Sequence, residues 1–216
     1  MRISNKNDGL KEQRRTCILQ AARQVFARKG YETTVLEEVA REAGLAKGTL
    51  YLYFKNKEDL YFHTVLHMLE SLQASITAQV HGAEGALGKL RALAAGQFDF
   101  FLRHRDTLQL FAPFSNPSLA RLHKRLIAPI REKWAGHIQR VIALVEEGQR
   151  AGVLRRDLEA RQIAQAFIGM TNQAAQALVR FGPEGPANPR AAQSAESPER
   201  MADTILKILV EGVGSR

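Results

Sequence analysis

A single cysteine among 216 residues excludes a disulfide framework and any Cys-rich zinc module. No stretch approaches the roughly 18 consecutive apolar residues of a membrane span. The amino terminus, Met1-Arg2-Ile3-Ser4-Asn5-Lys6-Asn7-Asp8-Gly9, lacks the apolar core of a secretory signal. A soluble, cytoplasmic protein is therefore expected. Proline is absent before Pro113, so nothing of that kind interrupts helices in the first half, and strand-like alternation is missing there too. No Ser/His/Asp constellation, nucleotide-binding loop or set of metal ligands appears, which leaves an enzyme without support. Acidic residues fall short of basic ones, 22 against 31, for a net charge of +9. That excess points to a polyanionic partner, although charge alone does not separate nucleic acid from a membrane surface.

The distribution of charge is more informative. Residues 1–60 hold 12 basic and 8 acidic side chains, about twice the positive density of the remainder, which favours an amino-terminal contact surface. Apolar residues at 45% and charged residues at 25% are ordinary globular proportions and exclude a chain disordered throughout.

Apolar residues recur every three or four positions in long segments, the pattern of helices. Ile18, Ala22, Val25 and Phe26 mark the buried stripe of a first helix over 11–29, with Gly30 placed to end it in a left-handed conformation. Thr34-Val35-Leu36-Glu37 spells a capping box, so a second helix is expected from Val35. Gly44 supplies a tight turn before a short third helix over 46–54. Asn56, followed by Lys57-Glu58-Asp59, reads as the cap of a fourth helix reaching Val80. Further helices are expected over 86–104, 106–113, 117–151, 157–181 and 199–213. Asp157 should cap the 157–181 helix, and Pro129 should bend or divide the 117–151 pattern. Four prolines mixed with small polar residues make 182–198 a surface loop. The fold class is all-α: a helix-turn-helix domain over 1–56, then a helical bundle over 57–216, about nine helices in all.

Two short helices meeting at a glycine turn match a helix-turn-helix whose second helix enters the major groove of DNA. Leu50 and Phe54, four apart, anchor one side of that helix, leaving Gly48, Thr49, Tyr51, Leu52 and Tyr53 around the other. Lys47 and Thr49 can donate to base or phosphate acceptors, and the tyrosine hydroxyls can reach phosphates. Gly48 lets a backbone approach closely. Lys57, at a helix start, combines an ammonium with free amides as a phosphate site. Thr34 is a structural cap first and a phosphate contact second.

In order and spacing, Ile18-Leu19, Ala21-Ala22, Phe26, Gly30-Tyr31, Thr34, Val39-Ala40, Ala43-Gly44, Gly48-Thr49-Leu50-Tyr51, Tyr53-Phe54, Lys57-Glu58 and Leu60 resemble the amino-terminal signature of the tetracycline-repressor (TetR) family of bacterial transcription regulators. Residues 11–62 carry this resemblance, while the remainder shares only the all-helical plan and stretches such as Glu146 to Arg155. Ala46 stands where the family often has a capping Ser or Thr, and Leu52 where an aromatic or polar residue is frequent. The resemblance implies DNA contacts for Thr34, Lys47, Gly48, Thr49, Tyr51, Tyr53 and Lys57. It also implies an effector cavity among the middle helices, where Phe98, Phe101, Phe111, Phe114, Trp134 and Met170 are candidate lining residues with His137 and Gln173 as polar tips. Plain core packing is the alternative for each ring.

The small and apolar face of Phe167, Ile168, Thr171, Ala175 and Leu178, extended by Ile205 and Leu209, suits a two-fold helical interface. The same residues could instead close the subunit's own core. No cofactor and no metal is expected: His63 and His67 lie four apart without a third ligand. Cys17 reads as inert packing. The leading expectation is a ligand-responsive repressor that binds a palindromic operator on double-stranded DNA as a homodimer and is released by a small, largely apolar effector. Constitutive or architectural DNA binding without an effector remains the alternative, with a small enzyme behind it.

Overall fold

The computed structural model describes residues 3–105, 110, 124–181 and 197–213. Its first helix shows how sequence becomes architecture. In α1 (Ile3–Thr33) the residues Ile18, Leu19, Ala22, Val25 and Phe26 are all buried on one stripe. Gly30 breaks the helix with φ 80° and ψ 168°, a backbone shape that a side chain disfavours. The break would strand the Gly30 carbonyl, and the Thr34 hydroxyl donates to it at 2.7 Å. The expected capping box therefore does not form: the residue before α2 (Leu36–Glu42) is Val35, with no side-chain cap.

Gly44 (φ 66°) ends α2 as expected. The Gly44 amide bonds the Arg41 carbonyl and the Leu45 amide bonds the Ala40 carbonyl, which together satisfy the last carbonyls of the helix. The third helix, α3 (Lys47–Tyr51), is shorter than expected. Its chain continues through tight turns in which the Leu52 amide bonds Thr49 and the Tyr53 amide bonds Leu50. Asn56 caps α4 (Lys57–Val80) as read from sequence: its Oδ1 accepts the Asp59 amide at 2.8 Å, and the Asp59 carboxylate accepts the Lys55 amide at 2.9 Å. This reciprocal pair fixes the angle at which the chain enters the helix.

Two compact units divide within α4. One holds the described residues up to Glu70, with Leu110 and residues 124–130. The other holds Ser71 to Arg105 and the described residues from Arg131 on. In this second unit α5 (Gly85–Arg103) touches both α7 (Ala160–Phe181) and α8 (Pro198–Val213), which also touch each other. Leu90, Leu93, Ala94, Phe98 and Phe101 supply the buried side of α5. A buried Gln97 donates its amide to Asn172 at 2.8 Å, satisfying a polar group that would otherwise be costly inside. Arg91 grips Asp203 with two nitrogens, and Lys89 binds Glu147 at 2.9 Å.

α6 (Lys124–Arg150) runs through Pro129 without a break. α7 starts at Ala160 because Asp157 pairs with the Arg155 guanidinium instead of capping the helix. α8 opens with Pro198, and the Ser197 hydroxyl accepts the Arg200 amide at 3.3 Å. The described residues thus form eight helices and no strand. Apart from Leu110, the helix expected over 106–113 lies outside the described residues, as do 182–196 of the loop expected over 182–198, whose last residue, Pro198, instead begins α8. No described helix is long and apolar enough to cross a membrane.

Between α6 and α7 the chain turns at Gly152 (φ 74°), and the Val153 and Leu154 amides bond the Gly148 carbonyl. A Cβ on Gly148 would lie 2.8 Å from Leu154 Cδ1 and 3.3 Å from Ala86 Cβ. Leu154 is fully buried and has nowhere to go. Gly148→Ala should therefore cost about 1–3 kcal/mol. Gly136→Ala, at a helical position with open space around it, should gain about 0.5–1 kcal/mol. Urea unfolding midpoints moving in opposite directions at unchanged slope would bear this out; equal midpoints would refute it.

Candidate nucleic-acid interface

α2 packs against both α1 and α3, and burial decides which side of α3 is left over. Leu50 (0% exposed) and Phe54 (1%) are sealed inside. Lys47, Gly48, Tyr51 and Leu52 are exposed, and Thr49 and Tyr53 half-buried. Phe54 lies past the end of α3, but its amide bonds the Leu50 carbonyl at 3.1 Å, which keeps the two side chains on one face. Leu52, at 79%, is the most exposed of the large apolar residues described, and an apolar tip there can meet a thymine methyl. Nothing in the space around Gly48 would meet a Cβ, so its value lies in leaving the surface low.

The other contact residues are held in distinct ways. Thr34 is 1% exposed with its hydroxyl bound to the Gly30 carbonyl, so it supports the helix break from inside. The Lys57 ammonium donates to the Glu32 carbonyl at 2.9 Å and sits 4.7 Å above the Tyr31 ring. The α1 end thus positions it, and an ammonium has three donors to share. The Asp59 amide, which a phosphate site at the start of α4 would use, is occupied by Asn56. Tyr31 and Tyr61 lie 4.8 Å apart, Tyr61 meets Phe26 edge-on at 4.9 Å, and the Tyr61 hydroxyl donates to the Leu110 carbonyl at 2.5 Å. Burial raises the Tyr61 phenol above its usual range. This aromatic knot ties the end of α1 to the start of α4.

Each carboxylate of α2 is paired with a cation. Glu38 binds Lys29, Glu42 binds Arg28 at 2.7 Å, and Glu37 binds Lys47. Hydrogen bonding from its cation is the main cause that lowers each carboxyl below its ordinary pKa. Sequence reasoning assigned Glu37 to a capping box and missed its hold on Lys47. The available signal was spacing: an acid in the first turn of α2 and a base in the first turn of α3, ten residues apart. Arg15 lies 5.6 Å from the Phe54 ring centroid and 3.0 Å from His63 Nδ1, and His63 Nε2 is 3.4 Å from Asp59. His63 is thus engaged at both nitrogens, and the described residues hold no cluster of three metal ligands. Cys17 is exposed, not the packing residue expected.

The residues proposed for an effector scatter in burial. Phe98 and Phe101 are interior residues of α5. Trp134 is 40% exposed and tilts against the half-buried His137, 5.7 Å between ring centroids. Met170 is half-buried and Gln173 exposed on α7. Phe111 and Phe114 lie outside the described residues. The structure thus brings Trp134 and His137 together. Of the expected interface residues, Phe167, Ile168, Thr171, Ala175, Ile205 and Leu209 are buried within the protomer, and Leu178 is half-buried. α7 and α8 both pack against α5.

A family model described as "Bacterial regulatory proteins, tetR family" matches residues 18–64, the segment from the α1 stripe to the first turns of α4. The HTH-type transcriptional regulator HbdR of Aromatoleum sp. (strain CIB) is 38% identical over 73 residues, covering 34% of this chain and 32% of that protein, so only about a third of its length is spanned. The fatty acid metabolism regulator protein of Bacillus subtilis (strain 168) is 25% identical over 156 residues, 72% of this chain and 78% of that one. The fold is similar to the transcriptional regulator FadR from Bacillus subtilis solved in complex with stearoyl-CoA, with a TM-score of 0.71 at 22% identity over 92% of this chain and 98% of that one.

Burial, with Arg140 next, pushes His137 down to about 4. The folded ring stays neutral where an unfolded histidine has already taken up a proton, so the unfolded state binds more protons between about 6.5 and 4. Stability should fall as pH is lowered through that window. Trp134 is the only tryptophan, so its fluorescence should report the ring beside it with a midpoint near 4. His137→Gln should abolish that transition. A midpoint near 6.5 would show that the ring is not held neutral.

Proposed function

This chain belongs to the TetR family of bacterial regulatory proteins, and we propose that it is a ligand-responsive repressor that binds a palindromic operator as a homodimer. The observation that carries this reading is the sealing of Leu50 and Phe54, which turns Lys47, Gly48, Thr49 and Tyr51 outward on one short helix. Tyr53 and Lys57 flank that face, and Thr34 supports it. A two-fold protein sets two such helices about 34–36 Å apart, one turn of DNA.

The homodimer contact comes from α7 and α8. Because Phe167 and its buried neighbours fill the protomer, the partner meets the strip beside them, where Ala166, Gly169 and Ala177 are exposed small residues and Ile208 is 55% exposed. Small residues let helices of two subunits approach closely. Gly169→Arg should leave helix content intact and yield a monomer in sedimentation; an unchanged dimer would reject this interface.

The effector is small and largely apolar, taken up within the second unit near Phe98, Phe101, Trp134 and Met170 with His137 and Gln173 as polar tips. Arg131, Lys133 and Arg140 of α6 favour an anionic end on that apolar body, and the similar FadR structure holds stearoyl-CoA, a molecule of this amphiphilic type. Release works through α4, one unbroken helix from Lys57 to Val80 whose halves belong to the two compact units. About 1.4 kcal/mol of effector preference for the non-DNA state gives a tenfold loss of operator affinity.

A gel-shift titration on duplexes selected from a random pool tests this reading. Wild type should recover a palindromic sequence, and stearoyl-CoA should weaken its binding about tenfold or more. Lys47→Ala should relax the preference at one position of each half-site, a cost of about 1–3 kcal/mol. Recovery of no sequence preference would reject the operator reading. Binding indifferent to stearoyl-CoA and to shorter acyl thioesters would favour constitutive DNA binding.

A further inference from the structure

The three carboxylates of α2 differ in what they hold. Glu38 and Glu42 bind Lys29 and Arg28, both on α1. Glu37 binds Lys47, the first residue of α3 and the only cation within that helix. Both partners of this last pair are about half exposed, 54% for Glu37 and 52% for Lys47. An ion pair so open to solvent contributes little to stability, so its presence on the reading surface calls for a different account. The Lys47 ammonium also lies 5.9 Å from the Tyr51 ring centroid, within reach of a second outward-facing side chain.

Any duplex brings phosphates to this surface, whatever its sequence. Their pull on a lysine is the same everywhere and grows as salt is lowered. A carboxylate already holding that lysine opposes the pull twice, by competing for the ammonium and by repelling the phosphate. A base edge such as the O6/N7 pair of guanine rewards the lysine only at one sequence. Resting on the DNA-binding reading above, we propose that Glu37 is a specificity-determining residue: it withholds the Lys47 ammonium from the DNA backbone, weakens binding to non-operator duplexes, and so widens the gap between operator and bulk DNA. Each protomer then engages about one phosphate fewer on non-operator DNA than its cations alone would allow. A purely structural staple between α2 and α3 would act on folding and leave that gap unchanged.

The test is an anisotropy titration of the full chain across a salt series, on a mixed-sequence duplex and on a duplex recovered by selection. Wild type, Glu37→Gln, Glu37→Asp, Lys47→Ala and the Glu37→Gln/Lys47→Ala double variant are compared, with circular dichroism checking that each is folded. Glu37→Gln should tighten the mixed-sequence duplex about three- to tenfold at low salt and steepen its log–log salt slope by about 0.9 per protomer. It should tighten the selected duplex less, so the ratio of the two affinities falls. Glu37→Asp should behave as wild type, and on the Lys47→Ala background Glu37→Gln should change the slope no further. An unchanged ratio and slope in Glu37→Gln, or the same gain without Lys47, would overturn the inference while leaving DNA binding intact. Wild type that binds neither duplex would overturn the DNA-binding reading and this inference with it.

Discussion

The burial of Leu50 and Phe54 is the constraint on which the rest of the amino-terminal unit depends. α3 has five residues, Lys47 to Tyr51, far below the length at which a helix persists in water without help. Its shape and direction must come from packing: both side chains are buried, α2 packs on α3, and the Phe54 ring lies between Arg15 of α1 and His63 of α4. Leu50 within α3 and Phe54 just past its end, joined by the hydrogen bond from the Phe54 amide to the Leu50 carbonyl, together fix the helix in rotation. Every outward residue is outward because those two are inward.

The surroundings of α3 keep that arrangement stiff. The Gly44 turn closes α2 with two hydrogen bonds to its last carbonyls, and the Asn56–Asp59 exchange starts α4 at a set angle. Phe26, Tyr31 and Tyr61 join α1 to α4, with Lys57 over the Tyr31 ring. The acids of α2 are each matched to a base on a neighbouring helix. A surface that must meet a polyanion thus carries its excess charge in ordered positions, with some cations already engaged before any ligand arrives.

Much of this was legible in the sequence wherever one residue determines the outcome by itself. Gly30 and Gly44 take positive φ because only glycine does so cheaply. Asn56 caps α4, and α4 runs from Lys57 to Val80 as its apolar spacing implied. Readings failed where a polar side chain had two local choices and a distant partner decided. Thr34 chose the Gly30 carbonyl over the cap, and Asp157 chose Arg155. Glu37 went to Lys47, a pairing that depends on how the Gly44 turn folds α3 back on α2. Spacing on α7 and α8 correctly marked a packed face, but periodicity reports that a face is covered, not which neighbour covers it. Phe167 and Ile205 are covered within the protomer.

A crystal structure of the protein on a duplex recovered by selection tests the central claim most directly. The account predicts α3 lying in the major groove, Lys47, Thr49 and Tyr51 within hydrogen-bonding distance of bases or phosphates, and Leu50 and Phe54 as deeply buried as they are without DNA. A complex in which α3 faces solvent while another surface carries the duplex, or in which Leu50 leaves its buried position to reach the DNA, would contradict it.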